Sequence, residues 1–272
     1  MDWLHGILNL IGLLFWFLWR AGTMPRPKPA NAIAGPTPRQ GKIFKHSWVY
    51  LLALVALLIL RAIFYNQFGP GLDWIPSLEL LDEAPHFRSD YLPRSLAYSI
   101  LSFGRWLSAL YFCLALLITV KPDTDTAKLW RSFLRSQFGW FGGLPVVALW
   151  GTALFLTILL HIAEFEWMDR IGVRIDSSHY YEYLPVLVIL DFRVATYLVM
   201  GILALYILNS FVYFGENSFW KNMDACGKQL LSPMHRIPLV MGKVDLAPFL
   251  VMAIAYGLSF ALRHEQLAVW LR

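Results

Sequence analysis

Residues 47–65 read SWVYLLALVALLILRAIFY, and this stretch determines the fold class. It contains one charged residue, Arg61, and is close to the length of about 20 residues that an α-helix needs to cross the hydrocarbon core of a bilayer. Apolar segments with the same character lie at 3–19, 96–120, 140–162, 194–214 and 247–262. The sequence therefore predicts an all-α polytopic membrane protein with about six transmembrane helices.

The overall composition supports this prediction. The chain has 272 residues, of which 58% are hydrophobic and 15% charged, and its mean hydropathy is +0.53. Soluble domains usually carry about 25% charged residues. The net charge of +5 could indicate nucleic-acid binding, but the basic residues fall into loops on alternate sides of the apolar segments. We therefore expect no nucleic-acid partner.

The distribution of charge orients the segments. Loops 20–46, 121–139 and 215–246 together hold fourteen Lys or Arg and five Asp or Glu. The regions on the other side hold seven basic residues, namely Arg88, Arg94, Arg170, Arg174, Arg193, Arg263 and Arg272. By the positive-inside rule, the first three loops are cytoplasmic and both termini lie outside.

These segments divide the chain into five parts. They are an N-terminal transmembrane anchor (1–19), a basic Pro-rich cytoplasmic linker (20–46), membrane helices 2–4 (47–163), an outer loop (164–193) and a C-terminal helix pair (194–272). The anchor is at the short limit for a spanning helix, so it could instead lie in the interface. The linker carries six basic residues and no acidic one, and it should contact anionic headgroups at the inner face unless it is merely solvated.

Two inner loops contain a similar amphipathic pattern. TAKLWRSFLRSQF (126–138) and NSFWKNMDACGKQLL (217–231) each place apolar side chains on one helical face and basic side chains opposite. Such short basic helices suit the inner interface, and Asn217 is a predicted N-cap. Each follows one spanning segment and leads into another, which predicts a repeated unit of helix, surface helix and helix.

Charged residues also fall inside the apolar segments. Arg61 and Arg105 are expected at similar depth toward the outer face, and Asp191 precedes the fifth segment on the same side. Because charges within a bilayer normally have partners or water, this predicts a polar cluster of Arg61 and Arg105 with Asp191 or Glu164. Such a cluster would mark an ion path or a site for an anionic ligand. The alternative is that these side chains snorkel to the outer headgroups.

The sequence offers no positive sign of enzymatic chemistry. It lacks a Walker motif, GxSxG, HExxH and an acidic metal-binding cluster, and its two cysteines, Cys113 and Cys226, have no metal spacing. We therefore predict no catalytic, metal-binding or cofactor-binding residues. Of the seven histidines, only His5 and His161 lie within or at the end of apolar segments. A membrane b-haem held by two such residues is an open alternative.

Residues 230–248, LLSPMHRIPLVMGKVDLAP, interrupt the last two apolar segments. Proline removes a backbone donor, so this stretch cannot form one continuous helix. Asp245 can cap a helix that starts near Ala247, and Pro248 is tolerated in its first turn. Pro233 and Pro238 would hold a tight turn at the inner surface.

The order of residues in this stretch resembles the YggT family. The matching positions include Leu230, Leu231, Pro233, Arg236, Pro238, Gly242, Asp245 and Pro248, and the resemblance covers roughly residues 194–263. It implies a small multi-pass protein of the bacterial cytoplasmic (inner) membrane. Plastid relatives of this family are implicated in attaching haem to a cytochrome b.

The predicted function follows from an apolar, aromatic chain without catalytic groups. We expect a non-enzymatic integral membrane protein that acts as a scaffold or as an assembly or accessory subunit of a larger membrane complex, of respiratory or photosynthetic type. Its partners would be the lipid bilayer and other membrane subunits or a second copy. A small transporter or channel component and a haem-handling membrane protein are the alternatives.

Overall fold

A computed structural model describes residues 2–23, 47–72, 90–120, 125–172, 180–212, 217–236, 239–241 and 244–262. Within these ranges the chain is almost entirely helical. The nine α-helices of this part are α1 (Asp2–Thr23), α2 (Ser47–Phe68), α3 (Leu92–Thr119), α4 (Asp125–Gln137), α5 (Val146–Arg170), α6 (Tyr180–Asp191), α7 (Arg193–Phe211), α8 (Ser218–Leu231) and α9 (Ala247–Ala261).

Five helical stretches of the described chain are long and apolar enough to cross a membrane. They are Trp3–Thr23, Ser47–Phe68, Leu92–Thr119, Val146–Arg170 and Leu184–Phe211, the last of which combines most of α6 with α7. The sixth predicted segment forms α9, whose 15 residues extend about 22 Å, less than the roughly 30 Å of the hydrocarbon core. The predicted all-α polytopic fold is confirmed, with five long apolar helices and one shorter one.

Helix occupies much of the region 164–193, for which we predict an outer loop. α5 continues to Arg170, and α6 begins at Tyr180. The apolar pattern ends near residue 162 because Glu164 and Glu166 follow it, but helical backbone hydrogen bonds do not require apolar side chains. The helix continues because Glu164 is buried against partners described below.

The helices pack in an order that matches the predicted repeat. α3 packs against α5 with the short α4 between them in sequence, and α7 packs against α9 with α8 between them. The first unit has a core around Phe112, Ile118 and Leu149, and the second has one around Leu203 and Leu231. α1 and α2 pack on each other and on α3, so they flank the first unit as additions.

Described residues next to the loops predicted to be cytoplasmic lie close to one another. The end of α1 lies beside the start of α2, where a Cβ on Gly22 would meet the Ser47 side chain. Arg20 donates from Nη2 to the carbonyl oxygen of Ser136 at the end of α4, and α4 contacts α8. The end of α1, the start of α2, the end of α4 and α8 are therefore linked by contacts within the described part of the chain.

The predicted caps at the C-terminal helix pair form, and part of the predicted turn lies within the described residues. The Asn217 side chain accepts a hydrogen bond from the Phe219 backbone N–H at 3.2 Å, which caps α8. After α8 the chain forms a 3-10 turn, Ser232–Arg236, and two antiparallel two-residue strands, β1 (Val240–Met241) and β2 (Val244–Asp245). Asp245 Oδ1 accepts from Ala247 N–H at 2.9 Å at the start of α9, where Pro248 occupies the first turn. Pro238, Gly242 and the Arg236 side chain lie outside the described part.

Candidate functional site

An ion pair between α3 and α5 forms the first part of the candidate site. Arg105 donates from Nε to Glu164 Oε1 at 2.7 Å and from Nη2 to Glu164 Oε2 at 3.0 Å. This two-pronged geometry is the strong form of an arginine–carboxylate interaction. It lies within two membrane-spanning helices, where such a pair is expensive to desolvate.

His161 extends this pair toward α6. Its Nδ1 lies 3.1 Å from Glu164 Oε2, one turn further along α5, and its Nε2 lies 3.0 Å from Asp191 Oδ2. A neutral imidazole has one N–H donor, whereas two carboxylate acceptors require two donors. The geometry therefore needs either an imidazolium or a protonated carboxyl group. We refer to Arg105, Glu164, His161 and Asp191 as the Arg105 network.

The Arg105 network is buried at its centre and reachable at its ends. The Glu164 and His161 side chains are 1% and 3% exposed, whereas those of Arg105 and Asp191 are 19% and 23% exposed. With an imidazolium at its centre, the network has two positive and two negative charges and is neutral. Loss of one proton leaves it with a net charge of −1.

Polar side chains precede and follow Arg105 along α3. Ser102, Arg105 and Ser108 follow one another at intervals of three residues, and Ser108 Oγ contacts Thr157 Oγ1 of α5 at 2.5 Å. Three residues fall short of a full 3.6-residue turn, so these three side chains wind around the helix. Ser102 accordingly contacts α1 and α2, while Arg105 and Ser108 contact α5.

Arg61 lies in a separate polar cluster between α1, α2 and α3. The Arg61 residue is 3% exposed, and its guanidinium donates to Tyr65 Oη at 3.0 Å and to Asn9 Oδ1 at 2.7 Å. It also contacts the His5 ring and Ser102 Oγ. We call His5, Asn9, Arg61, Tyr65, Tyr98 and Ser102 the Arg61 cluster. No carboxylate contacts the Arg61 guanidinium within the described part of the chain.

The structure brings together some of the residues of the predicted polar cluster and separates others. Arg105 pairs directly with Glu164, and Asp191 joins them through His161. Arg61 instead contacts α1 and the Tyr98 and Ser102 side chains of α3, so the prediction of one cluster holding both arginines is wrong. Its partners are aromatic, amide and hydroxyl groups, and the Arg61 charge sits over the Tyr65 and Tyr98 rings at 5.4 and 5.9 Å.

Several residues of both clusters were missed, although a spacing signal existed for them. Residues three or four apart on a helix share a face. His5 and Asn9, Arg61 and Tyr65, and His161 and Glu164 all have this spacing, as do Tyr98 and Ser102. Polar pairs with helical spacing inside apolar segments would have identified these residues before any fold was known.

The described residues do not converge as metal ligands or as nucleophiles. No group of three or more His, Cys, Asp or Glu in this part could hold a metal ion. In the Arg105 network the two carboxylates contact different nitrogens of His161, so they do not face a common point at which a metal ion could bind. Cys113 and Cys226 are unpaired, and burial raises the pKa of the Cys226 thiol, which lowers its reactivity at neutral pH.

Comparison of the chain with protein-family models, with characterised proteins and with solved structures finds no match.

Proposed function

We propose that this chain is a small ion-translocating membrane protein, or the membrane component of a transporter, in which the Arg105 network binds and releases a proton. The proposal is carried by one observation, a buried histidine held between two carboxylates that belong to different helices. Ionisable groups inside membrane-spanning segments are rare and commonly mark ion or proton pathways. A buried ion pair is also weak as a stabilising device, which favours a functional reason for its presence.

The helix that carries Asp191 supports the same proposal. Asp191 ends α6, α7 begins at Arg193, and both belong to one apolar stretch, Leu184–Phe211. Interrupted spanning helices are a recurrent feature of ion sites in transporters, because the interruption frees polar backbone groups near a charge. A change of the His161–Asp191 contact would couple proton release to movement of α6 relative to α5.

Proton flux into proteoliposomes tests this function. We expect wild-type protein, driven by a potassium diffusion potential, to acidify the lumen above the level of empty vesicles. His161→Gln should lower this flux by about tenfold or more, because an amide side chain cannot gain and lose a proton at neutral pH. Lys228→Gln is the matched control, since it removes a charge from an exposed pair with Asp224 on α8.

The same assay separates the second candidate function, an accessory or assembly subunit of a larger complex of the YggT type. This candidate rests on the sequence resemblance at 230–248, in which Asp245 and Pro248 are two of the matching positions. Such a subunit would give no flux alone and would migrate with its partners in blue-native electrophoresis. Flux from the purified chain, together with a monomeric band, would contradict it.

The haem-handling alternative has less in its favour. Both ring nitrogens of His161 contact carboxylates, and those of His5 contact Arg61, Tyr98 and Ser102. Neither ring has a nitrogen free to ligate iron unless these contacts break.

We further propose a bacterial inner-membrane location with both termini outside. Support comes from the excess of Lys and Arg in loops 20–46, 121–139 and 215–246, and from the contacts that join the end of α1 to α4 and α4 to α8. Alkaline phosphatase fused after Arg272 should be active, because this enzyme folds only outside the cytoplasm. Fluorescent protein fused at the same position should be dark on export through the general secretion pathway. Reversed outcomes for both fusions would contradict this orientation.

A further inference from the structure

A cavity of about 260 Å³ lies beside the cytoplasmic end predicted for α1, away from both polar clusters. It is bounded by the last turns of α1, the middle of α3, the end of α4 and the first half of α5. Its polar and aromatic lining includes Trp16, Trp19, Arg20, Tyr111, Gln137 and Trp140. No Asp or Glu is among the described residues that line it, so the cavity has one formal charge, that of Arg20.

Three polar groups at this cavity lack hydrogen-bond partners within the described chain. The Gln137 residue is 1% exposed, and neither its amide nitrogen nor its amide oxygen has a partner. The Trp19 indole N–H and the Arg20 Nε–H are likewise buried and unpartnered. A buried polar group without a partner costs free energy, so a cluster of them beside a cavity indicates a missing ligand or water.

The backbone holds Arg20 at the cavity. Its Nη2 donates to the Ser136 carbonyl oxygen at 3.1 Å, and its guanidinium lies over the Trp19 ring at 5.5 Å. Gly139 has a φ of 64°, and a Cβ at this position would lie 2.5 Å from Arg20 Nη2. The absence of a side chain at Gly139 therefore allows the guanidinium to approach the backbone there. Arg20 Nε has no hydrogen-bond partner within the described chain.

The unsatisfied groups define the chemistry of a ligand. The guanidinium, indole and amide N–H groups are donors that suit an oxyanion, and the Gln137 amide oxygen accepts from a hydroxyl group. Trp140 is fully exposed and Phe141 is 54% exposed at the rim, and aromatic side chains in such positions are typical of the membrane interface. An oxyanion next to an apolar rim is the arrangement of a lipid headgroup.

We propose that this cavity binds the headgroup of an anionic phospholipid that carries a free hydroxyl group, such as phosphatidylglycerol. Arg20 and Trp19 donate to the phosphodiester, and Gln137 accepts from the headgroup hydroxyl. The acyl chains leave past Phe141 and Leu156 along the lipid-facing side of α5. This inference does not depend on the Arg105 network or on ion translocation.

Native mass spectrometry of the purified full chain in mild detergent tests this site. We expect phosphatidylglycerol to bind more tightly than phosphatidylcholine, which is zwitterionic and has no headgroup hydroxyl. Arg20→Gln and Gln137→Met should each weaken phosphatidylglycerol binding by about tenfold, as loss of one charged or buried hydrogen bond implies. Arg170→Gln, which removes an exposed charge at the other end of α5, should leave binding unchanged.

Gln137→Met keeps the test decisive if Arg20→Gln does not fold. Gln137 has no side-chain partner within the described chain, so a methionine of similar shape should fold at least as well and still bind lipid poorly. Unchanged phosphatidylglycerol binding by Gln137→Met, or equal losses in Arg170→Gln, would overturn the proposal and leave a cavity that holds water only. If inorganic phosphate binds equally well at the same concentration and displaces the lipid, the ligand of the cavity is free phosphate and not a lipid headgroup.

Discussion

Arg105→Leu is expected to lower the free energy of unfolding by about 3–5 kcal/mol, the usual cost of removing one member of a buried ion pair. The reason is that Glu164, with a side chain only 1% exposed, loses both hydrogen bonds from the guanidinium and keeps a charge whose remaining polar contact within the described chain is His161. The loss can be measured by titrating the purified protein from mild detergent into a denaturing one and following helix content.

A double variant separates this pair from other effects of the substitution. Arg105→Leu combined with Glu164→Leu should recover much of the lost stability, since an apolar pair can replace a buried ion pair at little cost. Lys228→Leu removes an exposed, four-residue-spaced pair with Asp224 and should change stability by less than about 1 kcal/mol. A double variant as unstable as Arg105→Leu would show that the two residues are not coupled.

The double variant also bears on function. If the Arg105 network serves only to hold α3 against α5, a well-folded double variant should behave like wild type in proteoliposomes. If it carries protons, flux should fall even where stability is recovered, because Glu164 no longer supports the His161 imidazolium. Stability and flux therefore respond differently to the same pair of substitutions.

The sequence was sufficient to predict the helices but less so their ends. The run at 47–65 becomes α2, Ser47–Phe68, because Asn66 and Gln67 complete the last turn without being apolar. α5 begins at Val146 rather than at residue 140, since Pro145 lacks an N–H and suits the position before a helix. Apolar runs thus locate a helix, while prolines and backbone hydrogen bonds set its limits.

The polar clusters show a different limit of sequence reasoning. The position of a residue in an apolar segment predicts its depth in the membrane. Arg105 and Glu164 do contact each other, and Asp191 joins them through His161. The face of a helix that contacts a neighbour depends on how all the helices pack. Sequence periodicity therefore did not predict which helix the Arg61 side chain contacts. The Arg61 side chain turns to α1, a helix that the prediction treated only as an anchor.

Arg61→Leu is expected to release α1 from the rest of the bundle. α1 is held on α2 and α3 partly by the contacts of His5 and Asn9 with Arg61, and only 11% of its apolar window is buried within the chain. The substitution leaves the Asn9 and His5 side chains without their charged partner, which should cost about 2–4 kcal/mol. Arg61→Lys should lie between wild type and Arg61→Leu, because an ammonium keeps the charge but has three donors rather than a five-donor fork.

The release can be measured after a protease site is placed in the linker at 30–35. In mild detergent, cleaved wild-type protein should elute from a gel-filtration column with α1 still attached, whereas cleaved Arg61→Leu should lose it. Arg170→Leu, an exposed arginine at the far end of α5, controls for loss of a positive charge and should retain α1. Retention of α1 by Arg61→Leu would mean that its other contacts, such as the packing of Gly12 against Phe103 and the hydrogen bond from Arg20 to Ser136, are enough to hold the helix in place.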